Sequence, residues 1–117
     1  MNKPKKLKKV DQTKLKVKLK KKLDLVFGAR IRERDEKKPC IDLCGRAGRH
    51  QAGHFRFREN MTTRWNYKNV NGQNEYCNNW GADTYRHGKG IDAKWGKGIA
   101  EKLDKLSRKT KQWELWE

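Results

Sequence analysis

The chain has 117 residues, with 31 Lys and Arg against 14 Asp and Glu, and a formal net charge of +17. Leu, Ile, Val and Phe number only 20, so at most one small domain is buried and something besides apolar burial must support it. No apolar run approaches the roughly 18 residues that span a bilayer, the N-terminus lacks the apolar stretch of a secretory signal, and the charge selects a polyanion, nucleic acid ahead of an anionic membrane.

Residues 1–22 contain eleven lysines and one aspartate. They read as a flexible arm that would grip phosphates through Lys20, Lys21 and Lys22 among others, without reading bases. From Leu19 a helical stripe begins, with Leu19, Leu23, Phe27 and Ile31 four residues apart and Arg30, Arg32 and Arg34 on other faces. The preceding KLKVKL also fits strand alternation, which leaves the helix start open. Pro39 predicts a break before Cys40.

Residues 40–80 are rich in Gly, Asn, His and Arg. HFRFR at 54–58 alternates like a short strand, with Phe55 and Phe57 on one face and Arg56 and Arg58 on the other. RWNY at 64–67 is the expected pairing strand across a polar turn. A helix is expected near Cys77, and Ile91, Trp95, Ile99, Leu103 and Leu106 form a later helical stripe that Gly96 and Gly98 weaken. The closing QWELWE reads as a docking segment or a frayed end, and there is no internal repeat. The resulting division is an arm at 1–22, a domain at 23–110 and a tail at 111–117.

Cys40 and Cys44 are spaced C-x3-C, within the range of one edge of a tetrahedral zinc site, and Cys77 follows 33 residues later. Without a signal sequence a reducing compartment is expected, with the thiols free or metal-bound. The spacing admits structural zinc on three thiolates, with His50, water or nothing as the fourth ligand. Three unbound thiols remain the alternative. His50 and His54 flank QAG as loop-to-strand residues, and His87 in YRHGKG suggests a polar turn or a phosphate contact.

Taken in order, LDLVFGARIRERDEKKPCIDLCG, QAGHF and RWNYKNVNGQNEYCNNWGADTYRHG resemble the phage NinG (Rap) recombination protein family over about residues 23–110. The arrangement is also similar to phage recombination endonuclease VII. The resemblance implies an α+β fold: a small zinc-supported ββα-metal core of the HNH (His-Me finger) class, with flanking N- and C-terminal helices and a basic arm. It implies that His54 activates the attacking water, that Asn69 ties the loop between the strands, and that Asn78 holds a catalytic Mg²⁺ or Mn²⁺. Cys40, Cys44 and Cys77 then match three of four structural Zn²⁺ ligands, and Arg30 and Arg32, with Asp35, match a helix end where arginines hold phosphates. Asn74 stands where the family has its third zinc cysteine, Asn71 where a histidine is frequent, and the family's N-terminal cysteine-rich segment is replaced by the lysine arm. HNH sites often carry an acidic metal ligand at the position of Gly53; Asn79, Asp83 or Glu59 are candidates to replace it.

The expected function is a phage endonuclease that hydrolyses branched or single-stranded DNA intermediates such as Holliday junctions in the host bacterial cytoplasm, as a homodimer if it resolves junctions. Arg30, Arg32, Arg34, Arg56 and Arg58 would hold backbone. A DNA-binding accessory protein that keeps the scaffold without the chemistry is the alternative. A basic RNA-associated protein fits only the lysine run.

Overall fold

The computed structural model describes residues 9–46, 48–81 and 83–109. Helix α1 spans Lys9–Asp35, strands β1 and β2 span His50–His54 and Val70–Asn74, a short π-helix spans Cys77–Gly81, and helices α2 and α3 span Thr84–Trp95 and Ile99–Ser107. The closing QWELWE and residues 1–8 lie outside the described residues.

Lys9–Asp35 is rich in lysine and leucine, good helix formers, and has no proline. Asp11 in its first turn and Arg32 and Arg34 in its last match the helix dipole. The lysine stretch expected as an arm is therefore helical from Lys9 onward, and the strand option for KLKVKL does not occur. Of the expected stripe, Ile31 is fully buried and Phe27 meets the Tyr67 ring at 5.2 Å, while Leu19 and Leu23 stay exposed. The reason is geometric: α1 passes the sheet only with its C-terminal turns. At Gly28 an added Cβ would lie 3.8 Å from the Ala52 Cβ, which is how closely α1 approaches β1.

The sheet differs from the expected one. His50–His54 pairs antiparallel with Val70–Asn74, with Gln51 opposite Gln73 and His54 opposite Val70. The expected strands at 54–58 and 64–67 instead lie mostly in the connecting loop. HQAGH and VNGQN have poor strand propensity, but hydrogen bonds from the loop and from α1 override it. Asn69 donates to the Thr63 carbonyl at 3.0 Å and accepts from the Arg56 amide at 2.9 Å. Arg64 reaches α1 and pairs with Asp24 at 2.6 Å. The side chains at Gly53 and Gly72 are missing for a reason. A Cβ at Gly72 would meet the Asp35 Cβ at 2.7 Å, and one at Gly53 would collide with the Gln73 side chain.

Asp35 joins these parts. Its buried carboxylate accepts the Gly72 amide at 2.7 Å, Lys94 Nζ of α2 at 2.8 Å, and Arg34 at 2.8 and 2.7 Å. Burial alone would raise its pKa, but Arg34, Lys94 and the Gly72 amide overcome this and hold the carboxyl well below the usual carboxylate range. The apolar core is small: Ile41, Phe55, Ile91 and Leu103, with Trp95, Ile99 and Ala100 against it. Each fully buried Ile contributes roughly 1.5–3 kcal/mol. The expected stripe at 91–106 supplies most of this core, but as two helices. Gly96 and Gly98 take positive φ of 126° and 87° and turn the chain between them.

Replacing Asp35 by Ala leaves Arg34 and Lys94 partly buried without their anion, and should cost about 3–5 kcal/mol in urea unfolding. The depressed folded pKa makes this stabilisation complete above the unfolded value of about 3.8 and lost as pH falls towards the folded value. Urea midpoints of the parent should thus decline below about pH 4, and the Asp35→Asn variant should lack this part of the decline.

Candidate metal centre and the adjoining cleft

Leu43, at φ 53°, closes a tight turn in which its amide donates to the Cys40 carbonyl at 2.8 Å. That turn brings Cys44 back towards Cys40, and β2 delivers Cys77 at the start of the π-helix. The three sulfur atoms lie within 4.8 Å of one another. Two backbone amides point at them, Asn74 at 3.2 Å from Cys40 Sγ and Arg46 at 3.4 Å from Cys44 Sγ, the kind of contact that stabilises thiolate. Burial disfavours ionisation at Cys44, yet the Arg46 amide and its neighbouring thiols hold its pKa below the usual value. Cys77 is pushed up to about 12 by burial and by the adjacent Cys44 and Cys40. A divalent cation among three converging sulfurs relieves that conflict, so the cluster can hold a metal ion such as zinc.

His50 is not in the cluster. Its Nε2 donates to the Lys38 carbonyl at 2.7 Å. Asn74, in the place of a fourth cysteine, is buried and its side-chain oxygen accepts the Tyr76 amide at 2.9 Å.

A cleft of about 1200 Å³ runs between α1 and β1 and is lined by Lys21, Arg32, Arg49, Arg58, His54 and Asn78 among others. A smaller cavity of about 640 Å³, between the end of β1, the π-helix and α2, is also lined by His54, Arg58 and Asn78. His54 ends β1, and its Nε2 donates to the Arg64 carbonyl at 2.9 Å. That bond fixes the tautomer and leaves Nδ1 as the ring's basic nitrogen. Burial lowers the His54 pKa despite the opposing pull of the Arg64 carbonyl, so the imidazole is neutral at physiological pH. Asn78 donates through Nδ2 to Gln51 Oε1 at 2.8 Å, which turns its carbonyl oxygen into the atom offered to a ligand. Asn69 lies outside the cavities, fully buried in the loop it ties together.

The basic residues divide. Lys21, Lys22, Arg30, Arg32 and Arg58 are exposed and Lys20 is half-buried. Arg34 is committed internally to Asp35, to the Tyr67 and Val70 carbonyls and to Asn71. Arg56 lies 3.1 Å from Asp104 and over the Phe55 ring. Both therefore depart from the expected row of phosphate contacts.

Asn79, Asp83 and Glu59 all line the smaller cavity, and Asp83 also caps α2 by accepting the Arg86 amide at 3.1 Å. His87, expected in a polar turn, is inside α2 and buried, its ring 5.4 Å from that of Phe55. Gln51, Arg49 and the Arg64 carbonyl were not anticipated. Only Arg49 had a sequence signal, its place in a basic run beside the histidines.

If the cluster holds zinc, the purified protein should carry about one zinc per chain by atomic emission, because zinc sites of this kind bind one ion. Cys77→Ser should lower both the zinc content and the melting temperature.

No curated protein matches the chain, and no solved structure does. A family profile described as Bacteriophage Lambda NinG protein matches residues 1–113. The chain therefore belongs to the bacteriophage lambda NinG family and shares its phage recombination-related role.

Proposed function

We propose that the protein is a metal-dependent DNA endonuclease that hydrolyses phosphodiester bonds in branched or single-stranded recombination intermediates in the host cytoplasm, on an HNH-like ββα-metal scaffold. The observation that supports this most is that His54 and Asn78 line the same two cavities, one with a neutral imidazole whose Nδ1 is uncommitted, the other with a carboxamide oxygen.

In this reading the His54 Nδ1 takes a proton from water as its oxygen attacks phosphorus, and the bond to the leaving ribose oxygen breaks in line. The Arg64 carbonyl holds the ring in the basic tautomer and stabilises the imidazolium that forms. Asn78 would hold the divalent ion, Mg²⁺ or Mn²⁺, which supplies positive charge for the phosphorane. Arg32, Arg58, Lys21 and Arg49 line the larger cleft and would bind backbone phosphates without reading bases. A homodimer would place two such sites on one four-way junction.

The second reading is a DNA-binding accessory protein without chemistry. It is favoured by Gly53, which stands in the position of an acidic ligand and packs against Gln73. Cleavage of a labelled four-way junction with Mg²⁺, Mn²⁺ or EDTA separates the two. Cutting that needs the metal supports the nuclease, and tight, salt-dependent binding without cutting in any metal supports the accessory protein.

His54→Ala should lower the single-turnover cleavage rate by about 10²–10⁴ with little change in junction affinity. Because burial lowers the His54 pKa and the neutral ring is the active form, the acid limb of the rate profile should lie below the 6.5 of an unperturbed histidine. Arg32→Ala with Lys21→Ala should weaken binding to all sequences and flatten its salt dependence, by about one unit of slope for each phosphate left without its cation. Arg34→Ala should act mainly on stability.

A further inference from the structure

Two buried polar atoms beside the smaller cavity have no hydrogen-bond partner among the described residues: Asp42 Oδ1 and His87 Nε2. They belong to one arrangement. His87 Nδ1 lies 4.0 Å from Asp42 Oδ1, and the other oxygen of Asp42 accepts Gln73 Nε2 at 2.9 Å. His87 is only 5% exposed, and it lines the cavity with His54 and Asn78. The chain holds a buried imidazole with one nitrogen turned to a carboxylate and the other left over. Native proteins rarely leave such an atom orphaned without a water or an ion to satisfy it.

At 4.0 Å the carboxylate is beyond hydrogen-bond distance of Nδ1, so it faces the ring through charge alone, and a cation at Nε2 would satisfy the nitrogen that is left over. We propose that His87 Nε2 is a ligand for a divalent transition ion in the smaller cavity, with the Asp42 carboxylate facing the ring's other nitrogen. The inference deepens the nuclease reading and rests on it, since it supplies a protein ligand from α2 where Gly53 of β1 supplies none. Burial pushes the His87 pKa down to about 4, so the ring is neutral and its lone pair available at physiological pH. An imidazole donor changes which ion is taken. Mg²⁺ prefers oxygen ligands, whereas Mn²⁺ and Co²⁺ accept imidazole nitrogen alongside the Asn78 oxygen.

The test uses the full-length, zinc-loaded protein, so that the cysteine cluster does not compete for the added ion. Free Mn²⁺ is titrated by electron paramagnetic resonance, and the histidine ring ¹⁵N signals are followed in parallel. Mn²⁺ should bind with Mg²⁺ as a poor competitor, the His87 ring signals should broaden, and His87→Gln should raise the Mn²⁺ dissociation constant about tenfold or more. Absence of Mn²⁺ binding overturns the proposal. So does binding that leaves the His87 ring signals sharp, a result that needs no variant to fold. An unchanged dissociation constant in a His87→Gln protein with parental zinc content and circular dichroism overturns it as well. The same titration on His54→Ala distinguishes the two readings: retained Mn²⁺ binding and broadening support the His87 site even if no junction is cut by the parent, whereas cutting by the parent with no effect at His87 retains the nuclease alone.

Discussion

The buried carboxylate of Asp35 is the constraint around which the rest of the molecule is arranged. It accepts from the end of α1, from the middle of β2 and from α2, so one side chain fixes three elements that share little apolar surface. A buried ion pair is costly to desolvate and is no general route to stability. Here it defines register, because the Gly72 amide is the one donor on β2 that it meets, and β2 in turn sets β1 residue by residue. A slip of one residue would turn every side chain of the strand to the other face.

From that register the candidate site follows. His54 ends β1 opposite Val70, and Cys77 starts the π-helix just beyond the end of β2. The cysteine cluster anchors the far end of the same strand. One ion there would compensate for a core too small to hold a chain of this charge. Cys77 and Asn78, adjacent in sequence, thus face different tasks: the thiol turns to the cluster and the carboxamide to Gln51 and the cleft. The cationic α1 runs along the opening of that cleft with Lys21 and Arg32 in its wall. The basic charge and the candidate site are in this way carried by one helix and one hairpin.

The interior of β2 is polar. Asn71, Gln73 and Asn74 are all buried, and the first two bind Trp95, Arg34 and Asp42. A polar core of this kind is favourable only when its donors and acceptors are matched. Two unmatched atoms, Asp42 Oδ1 and His87 Nε2, lie together beside the smaller cavity, where binding of a ligand can satisfy them.

Residue pattern alone determined the strongly basic charge, the helix ending at IRERD, the stripe from Ile91 to Leu106, the thiols available to a metal and, through the order of short motifs, the family. Each of these is local or additive: a charge count, a 3.6-residue period, a spacing. Tertiary structure decided the rest. It moved the hairpin from the apolar alternation at 54–58 to HQAGH and VNGQN, because hydrogen bonds from Asn69 and Asp35 outweigh strand propensity in so small a sheet. It withdrew Arg34 and Arg56 into ion pairs, and it buried His87 beside Asp42. Such outcomes depend on which partner lies across space, 37 residues away for Arg34 and Asn71, and no window along the chain contains that partner.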